Sequence, residues 1–171
     1  RHYGRIDQAV QHTDHIIAVT ESTRRDIVRL LGVPEQMITV IYEAPRRFFH
    51  ILPDIDLQAR LQRRFGLERP FLLFAGTIEP RKNLLALLEA YRMVRAQGVD
   101  CLLVLVGGRG WLSEPFYAAW RESGLERDVR LLGIVPDDDL VALYSAADAF
   151  VFPSLYEGFG LPVLEAMACG T

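Results

Sequence analysis

The sequence predicts an α/β protein built on a parallel sheet with helices on both faces. From residue 71 onward, apolar runs alternate with segments whose apolar residues recur at helical spacing, and the order strand, helix repeats to the end. Runs such as FLLFAG (71–76) and CLLVLVG (101–107) show no polar alternation, which is typical of strands covered on both faces. The connections are only a few residues long, as in right-handed strand–helix–strand units.

Each predicted strand in this part is followed by a helix with recognisable ends. After the strand 71–76, apolar residues at helical spacing run from Leu84 to Val94, and Gly98 stands where that helix would stop. The later pairs are the strand 101–107 with the helix SEPFYAAWRESG, the strand VRLLGIV with a helix opened by PDDDL, and the strand AFVFPS with a last helix from Pro162 to Gly170. Ligands of such sheets bind beyond the carboxyl ends of the strands.

Residues 1–45 predict one further unit of the same kind. HIIAVT, ESTRRDIVRLLG and MITVIYEA form a strand, a helix and a strand, with Glu21 or Ser22 near the helix start and Gly32 after its end. Residues 46–70 mix proline, aromatic and charged residues without a period, so we interpret them as an interdomain connector with a short helix around 55–65. Because the sequence starts at Arg1 and stops at the end of a helix, we expect a piece of a longer protein.

Composition excludes several classes of function. The 171 residues carry a net charge of −3 without a basic face or run, which argues against nucleic acid as a partner. No apolar stretch approaches the ~20 residues of a membrane helix. Cys101 and Cys169 have no paired spacing and are interpreted as small buried hydrophobes, which favours a reducing, cytoplasmic location.

The loop GTIEPRKN (76–83) is the first candidate site. Gly76 allows a ligand close to the backbone, Arg81 and Lys82 supply cations, and the following helix adds its positive amino-terminal dipole. Lys82 is the only lysine among 19 basic residues, which favours a need for a compact point charge. These features predict a phosphate site. The structural alternative is a turn with solvated charges and Asn83 as a helix N-cap.

The stretch EGFGLPVLE (157–165) is the second candidate site. Its proline, at the predicted first helical position, places Glu165 in or just past the first turn, with its side chain leaning toward the mouth of the sheet. Its two glycines allow backbone amides to form an anion nest, and Glu157 lies in the loop itself. The stretch therefore offers donors for phosphate or sugar oxygens and two carboxylates for hydroxyls. A glycine-rich turn with a dipole-favoured glutamate is the alternative.

The signals for a metal are weak. His12 and His15 stand at a helical step without an evident third ligand, so surface histidines are the better interpretation. Asp137, Asp138 and Asp139 are interpreted first as the N-cap and first turn of a helix, and only second as a divalent-metal site. We therefore assign no metal-binding residue.

GTIEPRKN and PSLYEGFGLPVLEAMACG, at the ends of two different strands, resemble the retaining glycosyltransferases of sequence family 4. The resemblance runs from about residue 13 to the end and implies the GT-B fold, two Rossmann-like domains across a cleft. It implies that residues 1–45 are the last unit of the acceptor-side N-terminal domain, 46–70 the interdomain connector, and 71–171 the donor-binding Rossmann-like domain, truncated at its C-terminal end.

The resemblance implies transfer of a hexose from a nucleotide diphosphate sugar, such as GDP-mannose or UDP-glucose, to a glycan, lipid or small acceptor. It implies a role in polysaccharide biosynthesis, no cofactor beside the donor substrate and no metal. Peripheral contact with the cytoplasmic face of a membrane, through the rest of the N-terminal domain, is left open. Because much of both domains is absent from this sequence, we expect no transfer by the isolated chain.

The resemblance also implies roles for individual residues. In the family, the cations of the PRKN loop, here Arg81 and Lys82, hold the diphosphate and stabilise it as it leaves; the second glutamate, Glu165, accepts bonds from the ribose, and the first, Glu157, lies by the sugar. The residues implied in catalysis are thus Glu157, Lys82 and Arg81, and those implied in donor binding are Gly76, Arg81, Lys82, Ile134, Val135, Glu157, Phe159, Gly160, Leu161 and Glu165. Thr77 departs from the arginine that several members have there, so the diphosphate falls to Arg81 and Lys82.

Two other functions remain compatible with this fold, since a fold does not fix a function. One is a non-catalytic module that binds a nucleotide sugar or phosphate, which needs the diphosphate contacts but no carboxylate at the hexose. The other is a nucleotide-sugar epimerase of the same architecture, which needs no acceptor for turnover.

Overall fold

The computed structural model describes residues 3–53 and 56–171. Residues 1 and 2 of the predicted first unit, and residues 54 and 55 of the predicted connector and its short helix, lie outside the described part. The chain forms two compact units. The first unit comprises Arg1–Ala44 and Glu157–Leu161, and the second comprises Pro45–Tyr156 and Pro162–Thr171.

The first unit contains the predicted strand, helix and strand, preceded by a helix that the sequence analysis missed. The elements are α1 (Tyr3–Gln11), β1 (Ile16–Ala18), α2 (Glu21–Leu31) and β2 (Ile38–Val40), and the two strands pair in parallel. Thr20 caps α2 by accepting a hydrogen bond from the Thr23 amide, and Gly32 ends the helix in the left-handed conformation. A small apolar core lies around Ala18, Val33 and Ile38.

The second unit is a four-stranded parallel sheet with helices on both faces, as predicted. Its elements in chain order are α3 (Leu57–Phe65), β3 (Phe71–Ala75), α4 (Leu84–Ala96), β4 (Leu102–Val106), α5 (Glu114–Glu122), β5 (Val129–Gly133), α6 (Asp137–Ala146), β6 (Ala149–Phe150) and α7 (Leu161–Ala168), whose first residue counts with the first unit. The strand order is β5-β4-β3-β6. The last strand is much shorter than the run AFVFPS suggests, because only two of its residues pair with β3.

Side chains of the central strands alternate between two apolar cores, which explains why their sequences lack polar residues. Phe71, Leu73, Leu102 and Val104 are buried on one face with residues of α3, α6 and α7. Phe74, Leu103 and Leu105 are buried on the other with residues of α4 and α5. Packing on both faces therefore fixes the position of the sheet.

The segment 46–70, which the sequence analysis interprets as a connector, packs into the second unit. Leu57, Leu61 and Leu67 are buried in the core that α6 and α7 share. The α3 helix is joined to α6 by two ion pairs, because both Arg60 and Arg64 lie within hydrogen-bonding distance of the buried Asp139 carboxylate (3.1 and 2.5 Å). The aspartates that open α6 therefore include one with a packing role.

Two glycines allow the backbones that follow β3 and β4 to approach each other closely. Gly76 donates its amide to the carbonyl of Val106, and Gly107 has a φ of 141°. A Cβ on Gly107 would lie 2.0 Å from the carbonyl oxygen of Gly76, a distance that no packing adjustment of side chains relieves. Glycine is therefore required at position 107 by contact as well as by conformation.

We expect Gly107→Ala to destabilise the second unit by at least about 3 kcal/mol, because the added methyl collides with backbone rather than with a movable side chain. Gly124→Ala is the matched control, since Gly124 also has a positive φ (70°) but open space around its Cα. That control should lose only about 1 kcal/mol from backbone conformation. Urea unfolding of both variants measures the difference, and equal losses would contradict the proposed collision.

Candidate functional site

A cavity of about 250 Å³ lies in the second unit, beyond the carboxyl ends of its strands. Its wall brings together four of the predicted site residues, namely Gly76, Ile134, Val135 and Glu165. The other lining residues are Ala75, Val106, Gly107, Leu140, Tyr144 and Pro162. The cavity is thus where ligands bind in open parallel sheets, and its lining is mostly apolar.

Lys82 adjoins this cavity through Gly76. It ends a short 3-10 turn, Pro80–Lys82, between β3 and α4, and only 7% of its surface is exposed. A Cβ on Gly76 would lie 3.6 Å from Nζ of Lys82, and that nitrogen is 5.5 Å from the centre of the Phe152 ring. The side chain is therefore held between the glycine that ends β3 and an aromatic ring that follows β6. Lys82 is thus the buried one of the two cations that the loop sequence supplies.

The guanidinium of Arg81 contacts Glu79 in its own loop and Tyr156 in the segment that follows β6. Its Nη2 lies 2.7 Å from a carboxylate oxygen of Glu79, and its Nη1 donates to the carbonyl of Tyr156 at 2.9 Å. The side chain is 39% exposed, in contrast to Lys82. The two cations of the loop thus have different surroundings, which the sequence alone did not distinguish.

Glu165 lies in α7 with its carboxylate in the cavity wall. The helix begins at Leu161, so Pro162 is its second residue and not its first as predicted. The hydroxyl of Tyr144 donates to Oε2 of Glu165 at 3.2 Å. Burial raises the pKa of the Glu165 carboxyl, while the Tyr144 hydrogen bond and the positive charge of Arg46 act in the opposite direction.

Tyr144 is a site residue that the sequence analysis missed. It is fully buried in α6, and burial, reinforced by the neighbouring Glu165, raises the pKa of its phenol. Its ring packs edge-on against Phe49 and Phe150. The sequence shows it as one more apolar position of a helix, and nothing local indicates a partner 21 residues away.

The predicted residues Glu157, Phe159, Gly160 and Leu161 belong by their contacts to the first unit. The hydroxyls of Thr20 and Thr23 lie 2.9 and 3.3 Å from the carbonyl oxygen of Gly158, to which they can donate. The ring of Phe159 is 6.2 Å from that of Tyr42, and Gly160 adopts a φ of 101°. The threonines that fix this loop were not among the predicted site residues.

The weak metal candidates have other partners. The rings of His12 and His15 lie within hydrogen-bonding distance of the Gln8 carbonyl and the Thr39 hydroxyl. Within the described residues, no group of three or more histidine, cysteine, aspartate or glutamate side chains is arranged to hold a metal ion. Both cysteines are buried and unbonded. In the same part of the chain, no helix has the length and apolar character needed to cross a bilayer.

Residues 58–171 match the sequence profile of the family described as glycosyl transferases group 1, which covers more than half of the chain. The protein therefore belongs to this family. The solved structures that it resembles are GT-B glycosyltransferases, which confirms the predicted Rossmann-like α/β class. HepE of Anabaena, in complex with UDP and glucose, matches with a TM-score of 0.82 at 21% identity, over 99% of this chain and 46% of that one.

Two curated relatives from Escherichia coli are mannosyltransferases. O-antigen chain mannosyltransferase B is 38% identical over 156 residues, covering 91% of this chain and 41% of the relative. Serotype-specific mannosyltransferase WbdA is 34% identical over 179 residues, covering 94% of this chain and 20% of that protein. The chain thus spans less than half the length of the curated relatives that it matches.

The raised pKa of Glu165 predicts how stability depends on pH. Because the folded pKa lies above the unfolded value, the stability from protonation is fully present below the unfolded pKa and is lost as the pH rises through the folded pKa. We therefore expect Glu165→Gln to have a higher Tm than wild type at neutral pH, and this advantage to vanish in acid. A calorimetric pH series measures it. Glu89→Gln, at an exposed glutamate of α4, is the control; a Tm of Glu165→Gln at or below wild type at neutral pH would contradict the expectation.

Proposed function

We propose that the protein is a retaining glycosyltransferase that transfers a hexose from a nucleotide diphosphate sugar to a glycan, lipid or small acceptor. One observation carries the proposal. The only lysine of the chain is buried, with its ammonium beside Gly76 at the edge of the cavity that Glu165 lines. A buried cation and a carboxylate at one cavity match the two ends of a nucleoside diphosphate, since phosphates need positive charge and ribose hydroxyls need acceptors.

Lys82 is proposed to bind the diphosphate and to stabilise it as it leaves. Negative charge grows on the departing nucleoside diphosphate, so a fixed cation stabilises the transition state more than the bound donor. Burial strengthens this effect, because solvent screens a charge at the protein surface. The neighbouring amino-terminal end of α4 adds a partial positive charge of the same sign. Charge stabilisation by these groups supports a reaction that proceeds without metal or cofactor.

The part of the cavity wall formed by Glu165, Ile134 and Val135 is proposed to hold the nucleoside. Glu165 would accept hydrogen bonds from the ribose hydroxyls, and the Tyr144 hydroxyl fixes the orientation of its carboxylate. The backbone around Ile134 and Val135 would lie along the base, with exposed apolar surface of Ile134 available for contact. Protonation of Glu165 removes its charge, so we propose that donor affinity decreases in acid at a higher pH than for an ordinary carboxyl.

The loop 157–161 is proposed to serve the sugar. Glu157 would accept hydrogen bonds from hexose hydroxyls, and the backbone from Phe159 to Leu161 would meet sugar and phosphate oxygens. The support is the positive φ of Gly160 and the anchoring of Gly158 by two threonine hydroxyls, which give the loop a defined backbone conformation. Arg81 was expected to share the diphosphate with Lys82, and its own contacts favour a different role, developed below.

We propose GDP-mannose as the donor and polysaccharide biosynthesis as the setting. The two mannosyltransferases from Escherichia coli support mannose, whereas HepE, solved with UDP and glucose, makes a UDP sugar the competing choice. We propose a cytoplasmic location on the evidence of two unbonded cysteines.

The experiment is calorimetric titration of the full-length gene product with GDP-mannose, UDP-glucose, GDP and UDP, with and without magnesium. Lys82→Ala should weaken nucleoside diphosphate binding by at least about tenfold, because a buried charge-assisted contact is lost. Glu165→Gln should weaken GDP and GDP-mannose alike, by a factor of about three to ten, because both carry the ribose.

Arg92→Gln, at an exposed arginine of α4 that pairs with Glu89 one helical turn away, is the matched control for loss of one positive charge. Binding that needs magnesium would contradict the metal-independent site. Binding without transfer to any acceptor would favour the non-catalytic module, and turnover without acceptor would favour the epimerase. If none of the four ligands binds, the proposed function fails.

A further inference from the structure

Residues 153–156, here called the β6 exit loop, connect β6 to the loop that begins with Glu157. Backbone pairing with β3 ends early, at the hydrogen bond from the Val151 amide to the Leu73 carbonyl. The turn Pro80–Lys82 and the residue after it make three hydrogen bonds to the β6 exit loop. These bonds hold the loop where sheet pairing no longer can.

The three bonds involve Arg81 of the turn and Asn83, the residue after it. The amide of Leu155 donates to the Arg81 carbonyl at 2.9 Å, and Nη1 of Arg81 donates to the Tyr156 carbonyl at 2.9 Å. Nδ2 of Asn83 donates to the Pro153 carbonyl at 3.2 Å. Together they engage backbone groups of three of the four residues of this short segment, and they come from the loop that also carries Lys82.

Asn83 does not act as the N-cap that the sequence suggested. It stands at the N-cap position of α4 with a φ of 55°, in the left-handed region, and its side chain makes no capping bond. Asparagine is among the few residues other than glycine that adopt this conformation readily. Glycine would fit the backbone but has no donor, and aspartate would present an acceptor to the carbonyl of Pro153. The contact thus requires both properties of asparagine.

The side chain of Arg81 connects two segments through hydrogen bonds of its guanidinium. Its guanidinium is planar, so a bond to Glu79 on one nitrogen and to the Tyr156 carbonyl on another sets the direction of both partners. Lys82, the next residue, is the buried cation beside the cavity. We therefore expect Lys82 to contact the diphosphate and Arg81 to hold the β6 exit loop.

We propose that Arg81 and Asn83 are positioning residues that clamp the β6 exit loop and so hold the backbone from which the chain continues to Glu157. The inference rests on the proposed function, in which Glu157 meets the hexose. Displacement of such a group by about 1 Å reduces a rate by up to about a hundredfold while leaving remote contacts intact. The clamp therefore acts on turnover of the bound sugar, whereas Lys82 acts on the nucleoside diphosphate itself.

Asn83→Gly in the full-length gene product is the decisive variant, because it is compatible with the backbone conformation, changes no charge and removes the side-chain amide that donates to Pro153. We expect kcat with the donor identified above to fall at least about tenfold, with the Kd for GDP or UDP within about threefold of wild type. Asn83→Asp should lower kcat further, because a carboxylate then faces a carbonyl. Glu79→Gln with Arg81→Gln conserves local charge and should show the same division between kcat and Kd.

A second readout needs no ligand. Hydrogen exchange of peptides covering 153–156 should accelerate in Asn83→Gly and in the double variant, and stay at the wild-type rate in Arg92→Gln. Wild-type kcat in Asn83→Gly, or a loss of nucleoside diphosphate affinity equal to that of Lys82→Ala, would overturn the clamp. If wild type binds no nucleotide sugar, the proposed function fails, and the exchange rates still decide whether the loop is held. If Asn83→Gly does not fold, the double variant and its exchange rates decide.

Discussion

Burial of β3 on both faces is the constraint on which the rest of the second unit depends. The strand lies between β4 and β6, and its side chains enter both apolar cores, so it cannot shift along or across the sheet without exposing one of them. Its end is therefore a fixed point. Gly76 begins there, the turn that buries Lys82 follows within a few residues, and α4 leads back over the sheet. The position of the ammonium is thus set by the packing of a strand whose side chains lie in the two apolar cores.

Burial at the site favours the neutral form of the Glu165 carboxyl. Lys82 is almost fully buried, and burial raises the pKa of Glu165 against the opposing effects of Tyr144 and Arg46. Burying a charge is unfavourable unless a partner compensates it. A folding protein under selection for stability alone would place apolar residues there, so conflict between local environment and charge is itself typical of a functional site. In the proposed function, the ribose hydroxyls of the donor would donate to the Glu165 carboxylate and so favour its charged form.

The sequence was sufficient for features that depend on local pattern. Runs such as FLLFAG fixed the strands because double-sided burial removes polar residues from every position, and the single lysine stood out by composition. It was not sufficient for contacts between distant segments. Arg81 and Lys82 look alike in the sequence, yet only the fold brings one to Glu79 and Tyr156 and the other to Gly76. Asn83 has the residue type of an N-cap, and its donor is used instead by a carbonyl 70 residues away. The role of Tyr144 could not be predicted for the same reason, since the hydrophobic pattern of a helix does not show which buried residue carries a hydrogen-bonding hydroxyl.

The anchoring of Gly158 by Thr20 and Thr23 has a consequence for how the chain is made. The threonines are synthesised well before their acceptor, which follows 138 and 135 residues later. The first unit consequently cannot complete its hydrogen bonding until nearly all of the described chain has been synthesised, although domains usually fold in order of synthesis. Until then, the amino-terminal end of α2 can exchange its hydroxyl bonds with water or a chaperone. The unit that precedes the four-stranded sheet in the sequence is thus completed only after the strands of that sheet have been synthesised.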